Sequence, residues 1–170
     1  DSRFPLADRE VYKKGEIWIE LPSGTVETIK RFINYYENKE KVIAEKIPVN
    51  SSILLYGPPG TGKTKTASYI ASMLGLPLIT ARTDALISSY LGATSKNIRM
   101  LMDYAQSTPC VLFLDEFDAL AKIRDDSNEI GELKRVVVTL LQNIDSLENV
   151  VLIAATNHEK LLDKAVWRRF

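Results

Sequence analysis

The octapeptide Gly57-Pro58-Pro59-Gly60-Thr61-Gly62-Lys63-Thr64 restricts what this chain can fold into more than any other feature. It follows a short apolar run, Ile53-Leu54-Leu55-Tyr56. It opens residues 62–74, where Ala67, Ile70, Ala71 and Leu74 fall on one helical face. A buried strand must therefore hand over to a helix through a glycine-rich turn. Such a turn lets the backbone curl until successive N–H groups face one point. The helix N-terminus behind it adds unpaired N–H groups and the positive end of its dipole. The pattern G-x-x-x-x-G-K-[ST] is met at every position, between a strand and a helix as the mechanism demands. Gly57 to Thr64 are thus expected to cradle the phosphates of a nucleotide. Lys63 would reach the β- and γ-phosphates and the Thr64 hydroxyl would coordinate Mg²⁺. The alternative is a glycine-rich turn carrying an ordinary surface lysine.

The rest of the chain continues the alternation. Pro77 to Thr80, Val111 to Leu114 and Val150 to Ala155 read as further buried strands. Thr94 is a cap for a helix with Ile98, Leu101, Met102 and Ala105 inward. Leu133, Val136, Val137, Leu140, Leu141 and Ile144 recur with a period of about 3.6, which predicts helix despite the β-branched run. Apolar strands alternating with amphipathic helices predict an α/β fold with a parallel sheet covered on both faces. Residues 1–23 are polar with scattered Pro and Gly and read as a leader or linker, within which Ile17-Trp18-Ile19-Glu20-Leu21 is a candidate strand. A helix is expected from an N-cap at Thr25 to about Lys46, with Val26, Ile29, Phe32, Ile33 and Tyr36 inward and Pro48 as its stop. The domain proper is placed at residues 24–170.

Composition narrows the partners. The chain has 170 residues, 45% of them apolar, enough for one domain with a sizeable core. Lys and Arg (22) balance Asp and Glu (22), so no global field favours nucleic acid or an anionic membrane. No apolar run approaches the ~20 residues of a membrane helix. The opening, DSRFPLADRE, contains no signal-peptide apolar region. The single cysteine, Cys110, cannot make an internal disulfide, which suits a reducing cytoplasm.

A second motif is Val111-Leu112-Phe113-Leu114-Asp115-Glu116, an apolar strand ending in two acids. Asp115 is expected to hold Mg²⁺ through its water shell, and Glu116 to orient and polarise an attacking water. A strand ending in solvated acids is common; its place after the phosphate loop gives this one its meaning. Asp118 reads better as a cap for the next helix than as a third catalytic acid. A third motif, Ala154-Ala155-Thr156-Asn157, ends the last strand. Strand carboxyl ends line the ligand crevice of a parallel sheet, so Asn157 is expected beside the γ-phosphate and the water held by Glu116. His158, the only histidine, reads as a partly exposed loop residue.

These segments, GPPGTGKT, VLFLDEFD, AATN and LDKAVWRRF, in this order and spacing, resemble the AAA+ ATPases from about residue 47 to the end. The family calls them Walker A, Walker B, sensor 1 and the arginine-finger region. The resemblance implies a P-loop NTPase fold of three layers, αβα, the AAA+ large subdomain with parallel strand order 5-1-4-3-2. It implies ATP and ADP as ligands with Mg²⁺, hydrolysis to ADP and phosphate, and a homo-oligomeric ring, usually a hexamer. Arg168 and Arg169 would then act on a neighbour's γ-phosphate. Many members of the AAA subgroup separate their two arginines by two residues; here they are adjacent, so which one is the finger stays open.

Protein-remodelling members carry an aromatic–hydrophobic–glycine loop at the position of Tyr90-Leu91-Gly92. By resemblance this loop would face a central pore and grip an extended polypeptide through non-directional apolar contact. Packing of Tyr90 and Leu91 against their own subunit is the other reading. Lys122 to Glu132 would be a second pore loop or a solvated surface loop. The function implied is mechanical unfolding or disassembly of proteins. The alternative is a nucleic-acid-acting AAA+ ATPase of helicase or clamp-loader type, against which the balanced charge argues. A switch or scaffold reading is weakened because Glu116 and Asn157 are both present. Family members continue past the arginines into a fifth strand and a helical lid. A chain ending at Phe170 is expected to lack both, to leave Ile53–Tyr56 at a sheet edge unless the leader covers it, and to bind and hydrolyse nucleotide weakly. Most of the family's adenine contact comes from the lid and from the linker around Ile47 to Val49.

Overall fold

The computed structural model describes residues 7–45, 51–88, 95–120, 131–147, 150–162 and 164–170. Its frame is a five-stranded sheet: β1 (Ala7–Glu10), β2 (Ser52–Tyr56), β3 (Leu78–Arg82), β4 (Val111–Asp115) and β5 (Val151–Thr156), in the spatial order β1-β3-β4-β5-β2. The last four are parallel to one another, and β1 joins β3 antiparallel. The parallel part has the order implied for strands one to four. Helices are α1 (Ser23–Glu37), α2 (Lys39–Ala44), α3 (Lys63–Leu74), α4 (Thr83–Ser88), α5 (Ser95–Ser107), α6 (Gly131–Asp145) and α7 (Lys164–Trp167), with a 3-10 turn at Glu159–Leu161.

The strands alternate faces with period two, and both faces are apolar. Val111, Phe113, Val151, Ile153 and Ala155 pack with Ile29 and Ile33 of α1 and with Ala67 and Ile70 of α3. Leu112, Leu114, Leu152 and Ala154 pack instead with Leu86 of α4, Leu101 of α5 and Leu140 of α6. The result is the three-layer arrangement expected.

Several expectations need correction. Ile17 to Leu21 form no strand; the leader's strand is Ala7–Glu10, which alternation did not mark because its residues are largely exposed, with Ala7 packed on the core and the rest held by the backbone ladder. It covers the outer edge of β3 and not that of β2. Among the described residues, no strand pairs with the outer edge of β2. The first helix starts at Ser23 behind Pro22, two residues before Thr25, and breaks at Asn38, whose amide bonds back to the Asn34 carbonyl. Pro fits just ahead of a helix, where its missing N–H is not needed. Tyr90, Leu91 and Gly92, the cap at Thr94, the linker Ile47 to Val49 and most of Lys122 to Glu132 lie outside the described residues.

Candidate nucleotide-binding and hydrolysis site

Strand register brings the motifs to one rim. Tyr56 is paired with Thr156, so Gly57 and Asn157 leave the sheet side by side. Leu114 is paired with Ala154, and Arg82 with Asp115. From one edge inward, the carboxyl ends therefore present Arg82, then Asp115 and Glu116, then Thr156 and Asn157, then the phosphate loop.

The loop has the backbone its glycines allow. Gly57, Gly60 and Gly62 have φ of 146°, 78° and 88°, values that strain any residue with a Cβ. The space around Gly60 and Gly62 is open, so a substitution there would suffer from the backbone and not from crowding. Lys63 Nζ donates to the carbonyls of Gly57 and Pro58, both at 2.8 Å, and Thr61 Oγ1 donates to Pro58 O at 2.8 Å. The lysine thus lies across the mouth of its own loop. Gly62 caps α3 in a left-handed conformation, and no side chain satisfies the first N–H groups of that helix. Thr64 is exposed at the helix start.

Across the rim, Asp115 Oδ1 accepts from the Glu116 N–H at 2.8 Å. Glu116 has φ +52°, the only positive value found at a described residue other than glycine. Such a backbone costs of order 1–3 kcal/mol and persists where surrounding structure enforces it. Here the chain turns sharply after β4, and the Phe117 N–H donates to Ala155 O at 2.8 Å. The turn aims Glu116 outward, where its Oε2 lies 3.2 Å from Arg82 Nη2. The same Arg82 makes a two-bond fork with Asp84, at 3.1 and 2.6 Å. That fork holds the Asp84 carboxyl below the usual carboxylate range.

Asn157 leaves β5 beside Gly57 at the rim, and its Oδ1 is buried with no hydrogen-bond partner among the described residues. His158 is exposed, as expected of a loop residue. Asp118, expected to cap the next helix, accepts at its Oδ1 from Oγ1 of Thr156, a residue on the neighbouring strand, at 3.0 Å. Arg169 Nη2 is bonded to Asp145 Oδ2 at 2.6 Å at the end of α6, whereas Arg168 is exposed and its side chain pairs with none of the described residues. The flanking aromatics anchor the segment: Trp167 meets Tyr56 edge-on at 5.7 Å, and Phe170 meets Phe117 at 5.5 Å.

Two residues of the rim escaped the sequence reading. Arg82 was missed because β3 was expected to end at Thr80, short of the crevice. Thr156 was read as part of a motif, without a role for its hydroxyl. Both signals were available only once the register was known.

The donor set fits a nucleotide with a hard cation. Free helix N–H groups, curled glycines and Lys63 suit phosphate, while Thr64 and Asp115 offer oxygen ligands. The described residues contain no cluster of three His, Cys, Asp or Glu side chains. A Mg²⁺ here would therefore take most of its shell from phosphates and water, as that ion commonly does.

Comparison with known proteins gives the family. Residues 53–170 match the ATPase family associated with various cellular activities (AAA), and the chain belongs to that family. It is 47% identical over 153 residues to the AAA family ATPase y4kL of Sinorhizobium fredii, covering 89% of this chain and 46% of that protein. It is 42% identical over 124 residues to the peroxisomal ATPase PEX1 of Saccharomyces cerevisiae, covering 71% of this chain and 12% of the other. It is 41% identical over 132 residues to the peroxisomal ATPase PEX6 of Dictyostelium discoideum, covering 75% and 11%. The chain thus spans less than half the length of these relatives. Its fold matches the crystal structure of the FIGL-1 AAA domain in complex with ADP, with a TM-score of 0.78 and 24% identity over 98% of this chain and 56% of that one.

Proposed function

We propose that this chain is the ATP-hydrolysing core of a ring-shaped motor, a hexamer by family resemblance, that unfolds or disassembles other proteins. The observation that carries the reading is the strand register, which sets the phosphate loop, Asp115, Glu116 and Asn157 on one rim. Lys63 and the loop N–H groups hold the β- and γ-phosphates. Thr64 and Asp115 are the residues that would hold a Mg²⁺, which would neutralise charge on the phosphates. Glu116 takes the proton of the attacking water, and the Asn157 side chain fixes that water relative to the γ-phosphate. Arg168 or Arg169 from a neighbouring subunit stabilises charge on the transferring phosphoryl group, so that hydrolysis depends on assembly. Kinship with PEX1 and PEX6, and the Tyr90-Leu91-Gly92 loop, support a protein substrate drawn past an aromatic grip.

The test compares wild type, Lys63→Ala, Glu116→Gln and Tyr90→Ala of the full chain for ATP turnover and for unfolding of a tagged fluorescent protein. Lys63→Ala should lose nucleotide binding. Glu116→Gln should bind ATP and fail to hydrolyse it. Tyr90→Ala should keep its ATPase and lose unfolding. Turnover stimulated by DNA or RNA, with no unfolding by wild type, would replace this reading with the nucleic-acid one.

A further inference from the structure

We propose that Asp118 is a positioning residue for Asn157, acting through the Thr156 hydroxyl. The inference rests on the reading of Asn157 given above and extends it to a residue with no contact to substrate.

Asp118 and Thr156 are 4% and 1% exposed. Thr156 Oγ1 donates to Asp118 Oδ1 at 3.0 Å and accepts from the His158 N–H at 2.9 Å. A hydroxyl has one proton and two lone pairs, and an ionised carboxylate can only accept. Asp118 therefore dictates where the Thr156 proton points, which leaves a lone pair directed at His158. The bond from His158 N–H to Thr156 Oγ1 closes a short turn around one residue, Asn157. The Asn157 side chain needs such support, because its Oδ1 is held in a buried place without a partner among the described residues, a costly arrangement if left to itself.

Asp118 is itself fixed to the same frame. The positive φ of Glu116 folds the chain back, and the neighbouring Phe117 N–H donates to Ala155 O at 2.8 Å. Phe117 is fully buried and braced by Phe170. The loop that aims Glu116 thus also carries the carboxylate that sets the turn at Asn157. The two groups proposed to hold the attacking water are set by one buried linkage.

The experiment measures kcat, KM and affinity for a non-hydrolysable ATP analogue in the full chain carrying Asp118→Ala, Asp118→Asn, Thr156→Val, Asn157→Ala and the double change Asp118→Ala with Asn157→Ala. Asp118→Ala should lower kcat roughly tenfold or more, the scale of a small misplacement of a reacting group. Analogue affinity should stay within about twofold of wild type, because only a contact to the reacting atoms is disturbed. Asp118→Asn keeps an acceptor oxygen and should recover most of the rate. The double variant should be no slower than Asn157→Ala, since residues that act as one unit are not additive. Where Asp118→Ala fails to fold, the near-isosteric Thr156→Val carries the same expectation for kcat. Losses that multiply, analogue affinity that falls with the rate, or no rescue by Asn would each overturn the linkage and leave the role of Asn157 intact. A fast Asn157→Ala would overturn both.

Discussion

Glu116 shows what a single residue can be asked to do. Its left-handed backbone is an expense the sheet supports, and its carboxylate is shared with an arginine that the hydrolytic step does not need. While Arg82 Nη2 lies 3.2 Å from Oε2, that oxygen already accepts a hydrogen bond and is less free to engage a water. Both partners are well exposed, so the restraint is weak and screened by salt. Arg82→Ala should therefore raise basal ATP turnover, by no more than about fivefold, the ceiling for an exposed pair. Steady-state ATPase at low and high salt checks this; the gain should shrink as salt rises, and a fall in turnover would mean that Arg82 places Glu116 and does not restrain it. Cys110 is the opposite case, a group removed from chemistry. Burial pushes its thiol up to about 11. A raised pKa means the folded state keeps its proton where the unfolded state has lost it, so the contribution is full below the unfolded value. Between pH 9 and 11 stability should fall as pH rises, and Cys110→Ala should remove that slope. At pH 8 a thiol reagent should label Cys110 only on unfolding.

At the scale of elements, the helix behind the phosphate loop is held from outside by the leader. Ser72 of α3 is fully buried; its hydroxyl donates to Lys13 O at 3.0 Å and accepts from the Ile17 N–H. One turn nearer the loop, Ser68 Oγ lies 3.2 Å from both Tyr12 Oη and the Thr64 carbonyl. Ser72→Ala leaves the Lys13 carbonyl and the Ile17 N–H, both part-buried, without this partner and should cost about 1 kcal/mol, read from urea unfolding. None of this was legible in the sequence. The core elements were legible because burial on both faces makes β4 and β5 continuously apolar and gives α5 and α6 their inward stripes, so pattern and packing coincide. The leader has no such pattern. Ala7–Glu10 is held by main-chain bonds, which any residues can make, while the alternation at Ile17 to Leu21 ends with Trp18 at 73% exposed and only Leu21 packed on the core. The break at Asn38 escaped for a related reason, because helical spacing of apolar residues runs on through it. The site divided along the same line: contiguous motifs such as Gly57 to Thr64 could be read directly. Pairs made by register, Arg82 with Glu116 and Asp118 with Thr156, could not.

At the scale of the whole molecule, the two adjacent arginines can be told apart by what surrounds them. Arg169 is one-fifth exposed and closes onto Asp145 at the end of α6, so it binds the chain to itself. Arg168 faces out, on a short segment that Trp167 and Phe170 pin to Tyr56 and Phe117. Pinned at both sides, Arg168 projects from a rigid base, which is what a group acting on another subunit requires. Arg169→Ala should cost about 1 kcal/mol of stability, the value of a pair with one partly buried member, and change turnover only through folding. Arg168→Ala should fold and bind nucleotide normally and lose hydrolysis. The decisive version mixes two inactive proteins, Arg168→Ala and Lys63→Ala, in equal amounts. In a ring with head-to-tail contacts, a site works only where an intact loop meets an intact neighbouring arginine, so random mixing should restore about one quarter of wild-type turnover. An arginine acting within its own subunit, or a solvated one, allows no such recovery. Activity that stays at the parents' level on mixing would therefore remove Arg168 from the neighbour's site.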